Sequence, residues 1–229
     1  MPLVKPPRAA AFTLVELLAT LAIVAILGAL VIVGVGRVKE RGQILTCSTN
    51  LRQTGVAMLL YAQDNRSSLP GPLWRGQSPY FQADAQGSFD RTNGNLANFI
   101  APYLNVPAPQ PGQSGRVEPL TCPAWLEQDE TESKSICYYS TGPVTLEDGT
   151  QLFPFGRASA NPASAVPPLR LAMLSNVAAN TPALREFDRR EVSDGFYFTD
   201  PRVPLAPVHE KLRHVLYFDG HIGTQGVAL

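Results

Sequence analysis

An uncharged run of 20 residues, from Leu17 to Gly36, constrains the fold of this 229-residue chain more than any other feature. As an α-helix the run would be about 30 Å long, which matches the hydrocarbon thickness of a bilayer. Thr20 carries its only polar side chain. Basic residues stand on both sides of the run, so charge alone does not set its orientation. The run predicts a membrane-spanning helix.

The amino-acid composition restricts the class of protein further. Lys plus Arg number 19 and Asp plus Glu number 19, so the net charge is zero. This balance argues against a nucleic-acid binder, which depends on a basic surface. Charged residues make up 17 % of the chain, whereas about 25 % is usual in soluble domains. The 21 prolines and 18 glycines indicate a body rich in loops.

A cleaved signal peptide is one alternative for the N-terminal run. Its apolar core would be about 7–15 residues long and would end in small residues at the cleavage site. Here the run is longer, and the three alanines at positions 9–11 precede it. Glu16 is an anomaly because an unpaired carboxylate near the start of an apolar helix costs a few kcal/mol when buried. Such a residue requires a positive partner.

The segment Ala11-Phe12-Thr13-Leu14-Val15-Glu16-Leu17-Leu18 resembles the processing site of type IV pilins and type II secretion pseudopilins. The resemblance implies that a prepilin peptidase cuts between Ala11 and Phe12 and methylates the new amine of Phe12. It also implies that the apolar helix is kept and that Glu16 pairs with the terminal amine of a neighbouring subunit. The family usually has Gly where this chain has Ala11. An uncleaved signal anchor with an incidental Glu16 is the alternative.

The helical pattern continues beyond the apolar run. Residues 38–64 contain no proline. Apolar or small residues recur there at spacings of 3, 4, 4, 3 and 4, which is one face of a helix: Ile44, Cys47, Leu51, Gly55, Met58 and Ala62. We expect a leader at residues 1–11, a transmembrane and assembly half of the helix at 12–36, and an amphipathic half at 37–65.

The rest of the chain, residues 66–229, predicts one extracytoplasmic body. An irregular stretch with a short helix at 95–104 comes first, and short strand-like runs with turn dipeptides follow. These runs are residues 136–141, 144–146, 150–153, 169–174, 196–198, 214–218 and 221–224. The predicted fold class is therefore α+β and pilin-like, with a long N-terminal helix packed on a C-terminal antiparallel sheet with long loops.

Three cysteines are too few for a disulfide scaffold, and an odd count leaves one unpaired within the chain. A disulfide is chemically allowed outside the cytoplasm. All three pairings are open, and Cys122–Cys137 is favoured because it closes a short loop around an acidic stretch. Cys47 is interpreted as a small core residue.

The three histidines lie within 13 residues of each other, at positions 209, 214 and 221. Their spacing fits no standard metal site, so we predict none. His209 and Asp219-Gly220 resemble the H-x9-DG segment of one pilin-like subfamily, and we treat them as a family marker at the start of a terminal hairpin, 209–229. Calcium is the only cofactor considered, at two acidic segments without a dedicated ligand pattern: Asp129 with Glu130 and Glu132, and residues 147–150.

The sequence contains no nucleophile elbow, zinc-protease helix, P-loop or dinucleotide-binding motif, so we expect no enzyme. The resemblance implies a pseudopilin-type structural subunit of a type II secretion or type IV pilus-like filament, anchored in the inner membrane with its N-terminus in the cytoplasm and its body in the periplasm. The implied partners are prepilin peptidase, other pilin-like subunits, an inner-membrane assembly platform and the lipid bilayer, but no nucleic acid.

Two alternatives remain open. One is a membrane-anchored envelope enzyme or binding protein whose site would use four C-terminal residues: His209, His214, Asp219 and His221. The other is a minor subunit that primes filament assembly or carries secreted cargo.

Overall fold

The computed structural model describes residues 13–127, 136–145, 149–190 and 199–227. The chain divides into two compact units, Met1–Gly42 and Gln43–Leu229. Helix α1 (Leu14–Asp64) is 51 residues long and contributes residues to both units. The helix ends at Asp64, within the predicted region, and Ser67 N donates to the carbonyl of Ala62 at 2.8 Å beyond its end.

The first unit exposes apolar side chains on every side of α1. All residues from Thr13 to Leu30 are exposed. Ten large apolar side chains between Leu14 and Leu30 retain 56 % to 77 % of their accessible surface. A helix that is apolar all round is normally covered by lipid or by protein.

Among the described residues, none of the helices is both long enough and apolar enough to cross a membrane.

The second unit buries one face of α1, as predicted from the spacing. The buried positions include Cys47, Leu51, Gly55, Met58 and Ala62. This face packs on an antiparallel sheet, so the predicted α+β arrangement is confirmed. Burial of this stripe rather than intrinsic helix propensity stabilises a helix of this kind.

Within the described ranges, the main sheet has five strands in the order β1-β4-β7-β8-β9, and every neighbouring pair is antiparallel. Its strands are β1 (Gly76–Gln77), β4 (Tyr138–Ser140), β7 (Pro182–Glu186), β8 (Leu212–Tyr217) and β9 (Ile222–Gly226). Two small ribbons pair β2 (Tyr80–Gln82) with β3 (Ser114–Arg116), and β5 (Val144–Thr145) with β6 (Gln151–Leu152).

Short helices fill the loops between strands. The helices are α2 (Ala97–Ile100), α3 (Pro123–Leu126) and 3-10 segments at Arg91–Asn93, Ala101–Leu104, Glu118–Leu120, Pro162–Ser164, Leu171–Leu174 and Ala178–Asn180. The helix expected at 95–104 is confirmed as α2 and the 3-10 segment that follows it.

Two strand predictions have other outcomes, and one strand was not predicted. The strand expected at 169–174 is wrong, because Leu171–Leu174 forms a 3-10 helix; a short apolar run does not distinguish strand from helix by its pattern alone. Residues 196–198 lie outside the described residues. Sequence analysis missed β7 (Pro182–Glu186), which begins with a proline and carries two charged side chains.

The disulfide joins Cys47 to Cys122, so the predicted Cys122–Cys137 pairing is wrong. The Cα atoms of the bonded pair are 4.8 Å apart, although 75 residues separate them in sequence. Two side chains of α1 hold the partner segment in place. Asn50 Nδ2 donates to the carbonyl of Thr121 at 2.7 Å, and Thr54 Oγ1 donates to the carbonyl of Pro119 at 3.0 Å.

Cys137 lies elsewhere in the core. Its backbone N–H donates to the carbonyl of Gln77 at 3.1 Å, which places it beside β1 just before β4. The residue is buried and stays outside the disulfide. Sequence proximity to Cys122 was therefore a poor guide, because tertiary packing brings Cys47 to that position instead.

Candidate functional site

The predicted assembly residue, Glu16, lies in the first turn of α1 and forms a reciprocal cap with Thr13. Glu16 Oε2 accepts hydrogen bonds from the backbone N–H of Thr13 at 2.9 Å and from Thr13 Oγ1 at 3.0 Å. In return, the Glu16 N–H donates to Thr13 Oγ1 at 3.3 Å. The predicted cleavage residues, Ala11 and Phe12, lie outside the described residues.

This arrangement is a capping box, in which the N-cap and the third helical residue satisfy each other's backbone N–H groups. Sequence analysis treated Glu16 as an anomaly and missed this role. The pattern Thr13-x-x-Glu16 directly before an apolar run was the signal that could have found it. Within a single chain, Glu16 therefore has local partners, both of them supplied by Thr13.

The C-terminal hairpin is confirmed as β8 and β9, with Asp219-Gly220 at its turn. Gly220 has a φ of 88°, a conformation that glycine adopts without steric cost. The carboxylate of Asp219 accepts from the His221 N–H at 3.1 Å and contacts His221 Nδ1 at 2.6 Å. The backbone N–H of His221 is the first cause that lowers the pKa of Asp219. These residues organise the turn.

The other two histidines meet in the core around Glu186. Glu186 is the last residue of β7, His214 lies on β8, and His209 lies in the turn before β8. The rings of His209 and His214 pack edge to face with centroids 5.0 Å apart. All three residues are buried. The sheet register between β7 and β8 therefore builds this group.

Glu186 is held mainly by His214. Its Oε2 accepts from the His214 N–H at 2.8 Å and lies 3.1 Å from His214 Nδ1. A carboxylate can only accept, so Nδ1 is the protonated ring nitrogen of His214. Burial acts to raise the pKa of Glu186, but the contacts with His209 and His214 outweigh it and hold that pKa below its ordinary value.

The other carboxylate oxygen of Glu186, Oε1, has different surroundings from Oε2. Oε1 lies 3.4 Å from His209 Nε2 but is buried without a hydrogen-bond partner among the described residues. The same Nε2 lies 3.3 Å from Cys122 Sγ, in the disulfide. Tyr138 lies on the neighbouring strand, and its own burial and then the charge of Glu186 raise its pKa. This group is a polar cluster within the core.

The four residues of the alternative hypothesis do not share one site. His209 and His214 are buried with Glu186, whereas Asp219 and His221 pair with each other at the exposed hairpin turn. The predicted cluster of four residues is wrong because β8 runs between the core, where His209 and His214 lie, and the hairpin turn, where Asp219 and His221 lie. Glu186 was not predicted as a site residue, because β7 itself was not predicted and its short sequence marks no site. Of the acidic calcium candidates, Asp129, Glu130, Glu132, Glu147 and Asp148 lie outside the described residues.

A separate cavity of about 710 Å³ opens beside β1 and β2. Trp74, Tyr80 and three arginines contribute to its lining. The arginines are already engaged: Arg75 lies over the Tyr139 ring at 4.6 Å, and Arg202 pairs with Asp200 at 2.6 Å. None of the predicted site residues in the described part of the chain lines this cavity.

The comparisons with known proteins concern the N-terminal segment. Residues 6–34 match the family model described as the prokaryotic N-terminal methylation motif. No curated protein and no solved structure matches the chain. The match confirms the predicted resemblance to type IV pilin-like proteins, and it supports a structural protein associated with the cell envelope. The match includes the whole segment from Ala11 to Leu18 on which this resemblance was based.

Proposed function

From the methylation motif at residues 6–34, we propose that this protein is a pseudopilin-type structural subunit of a type II secretion or type IV pilus-like filament. Prepilin peptidase cleaves it between Ala11 and Phe12 and methylates the new amine. The mature chain then polymerises through its apolar helix. The observation that carries the proposal is this motif together with the start of α1, where the large apolar side chains from Leu14 to Leu30 are exposed.

The exposed apolar stem supports assembly. We define the stem as residues 14–30, where the large apolar side chains keep more than half of their surface exposed. Burying one such side chain contributes about 1.5–3 kcal/mol. A surface of this kind needs a cover, and we propose that lipid covers it before assembly and that the stems of neighbouring subunits cover it afterwards.

Glu16 supports a specific register between subunits. Cleavage after Ala11 would leave the new amine one residue before Thr13, beside the capping box. In the filament core an unpaired carboxylate would be costly, so pairing with a neighbour's amine favours one axial position. Both capping contacts use Oε2. We propose that Oε1 receives the amine of the neighbouring subunit.

The remaining parts of the proposal concern location and partners. We propose that residues 12–36 sit in the inner membrane before assembly, with the N-terminus in the cytoplasm and the body in the periplasm. The assembly platform would extract the processed chain into the filament. The N-terminal motif supports this placement because prepilin peptidases act at the membrane. A major and a minor subunit share these steps, and both fit the proposal.

The first experiment determines the N-terminus. The full chain is expressed with a prepilin peptidase, and intact mass and N-terminal sequencing are compared with the same chain expressed alone. We expect the processed chain to begin at N-methylated Phe12. A chain that still begins at Met1 in the presence of active peptidase, or one trimmed beyond Gly36, would contradict the proposal.

The second experiment separates the capping role of Glu16 from its charge. Glu16→Gln keeps an acceptor for the Thr13 N–H, as glutamine does in capping boxes, but removes the charge. We expect Glu16→Gln and Glu16→Ala both to abolish filaments while the body stays folded. Glu40→Gln, an exposed glutamate farther along α1, is the matched control and should assemble normally. Normal filament yield from Glu16→Gln would show that the charge is not required.

A further inference from the structure

Four potential metal ligands from distant parts of the chain converge in the core. They are Cys47 on α1, Cys122 before α3, Glu186 at the end of β7 and His209 before β8. One ligand atom from each residue lies within 4.8 Å of the other three, and all four residues are buried. We infer that, when Cys47 and Cys122 are reduced, this cluster binds one Zn²⁺ ion. The inference is independent of the proposed pilin-like function.

The distances suit a tetrahedral zinc site. With Zn–N and Zn–S bonds of about 2.0–2.3 Å, ligand atoms in a tetrahedron lie about 3.3–3.8 Å apart. His209 Nε2 is 3.3 Å from Cys122 Sγ and 3.4 Å from Glu186 Oε1. Two edges of the tetrahedron are therefore already in place. Opening the S–S bond makes both sulfurs available as thiolate ligands, and all four ligand atoms lie within 4.8 Å of one another.

The carboxylate gives an independent reason to expect a ligand. Glu186 is buried, and its Oε1 has no hydrogen-bond partner among the described residues. An unsatisfied buried carboxylate oxygen is costly, and a bound cation removes that cost.

His214 contacts the carboxylate oxygen of Glu186 that is not a proposed zinc ligand. Its N–H and its Nδ1 both contact Glu186 Oε2, at 2.8 Å and 3.1 Å. Outer contacts of this kind orient a ligating carboxylate, and their loss commonly weakens metal binding about 10-fold to 100-fold. Glu186 is thus positioned to direct Oε1 at the cluster. Two thiolates with one imidazole favour zinc over calcium or magnesium, which prefer oxygen ligands.

Reduction of the disulfide and binding of zinc are two balanced chemical steps. A dithiol reductant transfers two electrons and two protons to the Cys47–Cys122 disulfide, giving two thiols, and becomes a disulfide itself. Zn²⁺ then displaces the two thiol protons and binds the two thiolates. Both states tie α1 to the segment that precedes α3. Zinc would therefore supply this cross-link in a body that has folded before it is oxidised.

The test uses the full chain in non-ionic detergent, unfolded and reduced with dithiothreitol. The reductant is removed, and the chain is refolded without oxygen in the presence of Co²⁺ alone or Zn²⁺ alone. The oxidised chain receives the same treatment without the reductant. We expect one Co²⁺ per reduced chain, with intense visible bands of tetrahedral cobalt and a near-ultraviolet thiolate-to-cobalt band. Zn²⁺ should displace the Co²⁺ and raise the melting temperature of the reduced chain.

Two variants link the signal to these ligands. Glu186→Gln should weaken binding of Co²⁺ to the reduced chain at least tenfold, whereas His221→Gln, at the exposed hairpin turn, should leave it unchanged. Cys137→Ser should keep the thiolate-to-cobalt band, because Cys137 is outside the cluster. Equal binding by oxidised and reduced chains, or a reduced chain that takes up no cobalt and is not stabilised by zinc, would overturn the inference.

Discussion

Leu216 of β8 lies directly against Gly55 of α1. A Cβ atom built on Gly55 would stand 2.8 Å from Leu216 Cδ1, and Leu216 is fully buried. The helix and the central part of the sheet therefore approach each other at a position where α1 has no side chain. This contact sets how closely the predicted apolar face of α1 packs on the strands below it.

Replacing Gly55 with alanine should destabilise the body relative to the same change at Gly42. In an exposed helix interior, alanine is more favourable than glycine by about 1 kcal/mol. A Cβ atom built on Gly42 meets nothing within 4 Å. At Gly55 the added methyl group overpacks the core, which typically costs about 1–3 kcal/mol. Urea unfolding of both full-length variants, followed by tryptophan fluorescence, measures the difference. Equal stability of the two variants would contradict the close contact.

Removal of the disulfide should destabilise the body substantially. The Cys47–Cys122 bond closes a loop spanning 75 residues in sequence, and loss of a native disulfide typically costs about 2–5 kcal/mol. We expect Cys47→Ala and Cys122→Ala to lower the unfolding midpoint equally. Cys137→Ala should give only the smaller effect of a lost buried side chain. Non-reducing peptide mapping provides the direct check, and recovery of a Cys122–Cys137 peptide would show that the pairing is wrong.

The stability of the body should depend on the buried ion pair between Asp188 and Arg213. Arg213 Nε donates to Asp188 Oδ2 at 2.8 Å, and both side chains are buried. Removing one partner of a buried ion pair typically costs about 3–5 kcal/mol. We therefore expect Asp188→Asn to be strongly destabilised in urea unfolding. The exposed pair Arg116–Glu118 provides the comparison, since Glu118→Gln should cost about 1 kcal/mol or less.

Asp200 should make stability depend on pH in the acid range. Hydrogen bonds from Arg202 lower the pKa of Asp200 below its ordinary value of 3.8, so the folded state favours the charged carboxylate. The resulting stabilisation is present above the unfolded-state pKa and is lost as the pH falls through the lower folded-state pKa. Asp200→Asn should therefore be less stable than wild type at pH about 7. The difference in stability should shrink as the pH falls well below 3.8.

The control for this pH dependence is Glu210→Gln, which removes an exposed carboxylate elsewhere in the body. Its difference from wild type should stay nearly constant over the same pH range. If the deficit of Asp200→Asn also stayed constant, the pairing with Arg202 would not be the source of the effect. NMR titration of the Asp200 carboxyl in the wild-type chain reports the same shift directly.

Features controlled by local chemistry were predictable from the sequence. The apolar face of α1 follows from helical periodicity, and its end near Asp64 follows from the polar and proline-rich residues after it. The Asp219-Gly220 turn follows from glycine's access to positive φ. The short run at 169–174 was misread because its pattern fits more than one kind of local structure.

The long helix, the methylation motif at its start and the C-terminal hairpin could be predicted from the sequence, because each depends on residues a few positions apart. The Cys47–Cys122 disulfide and the contacts of Glu186 with His209 and His214 follow from the packing of distant segments. These contacts depend on the order of strands in the sheet and on which face of α1 the sheet covers. Many alternative pairings have the same local sequence, and the packing of the whole core selects among them.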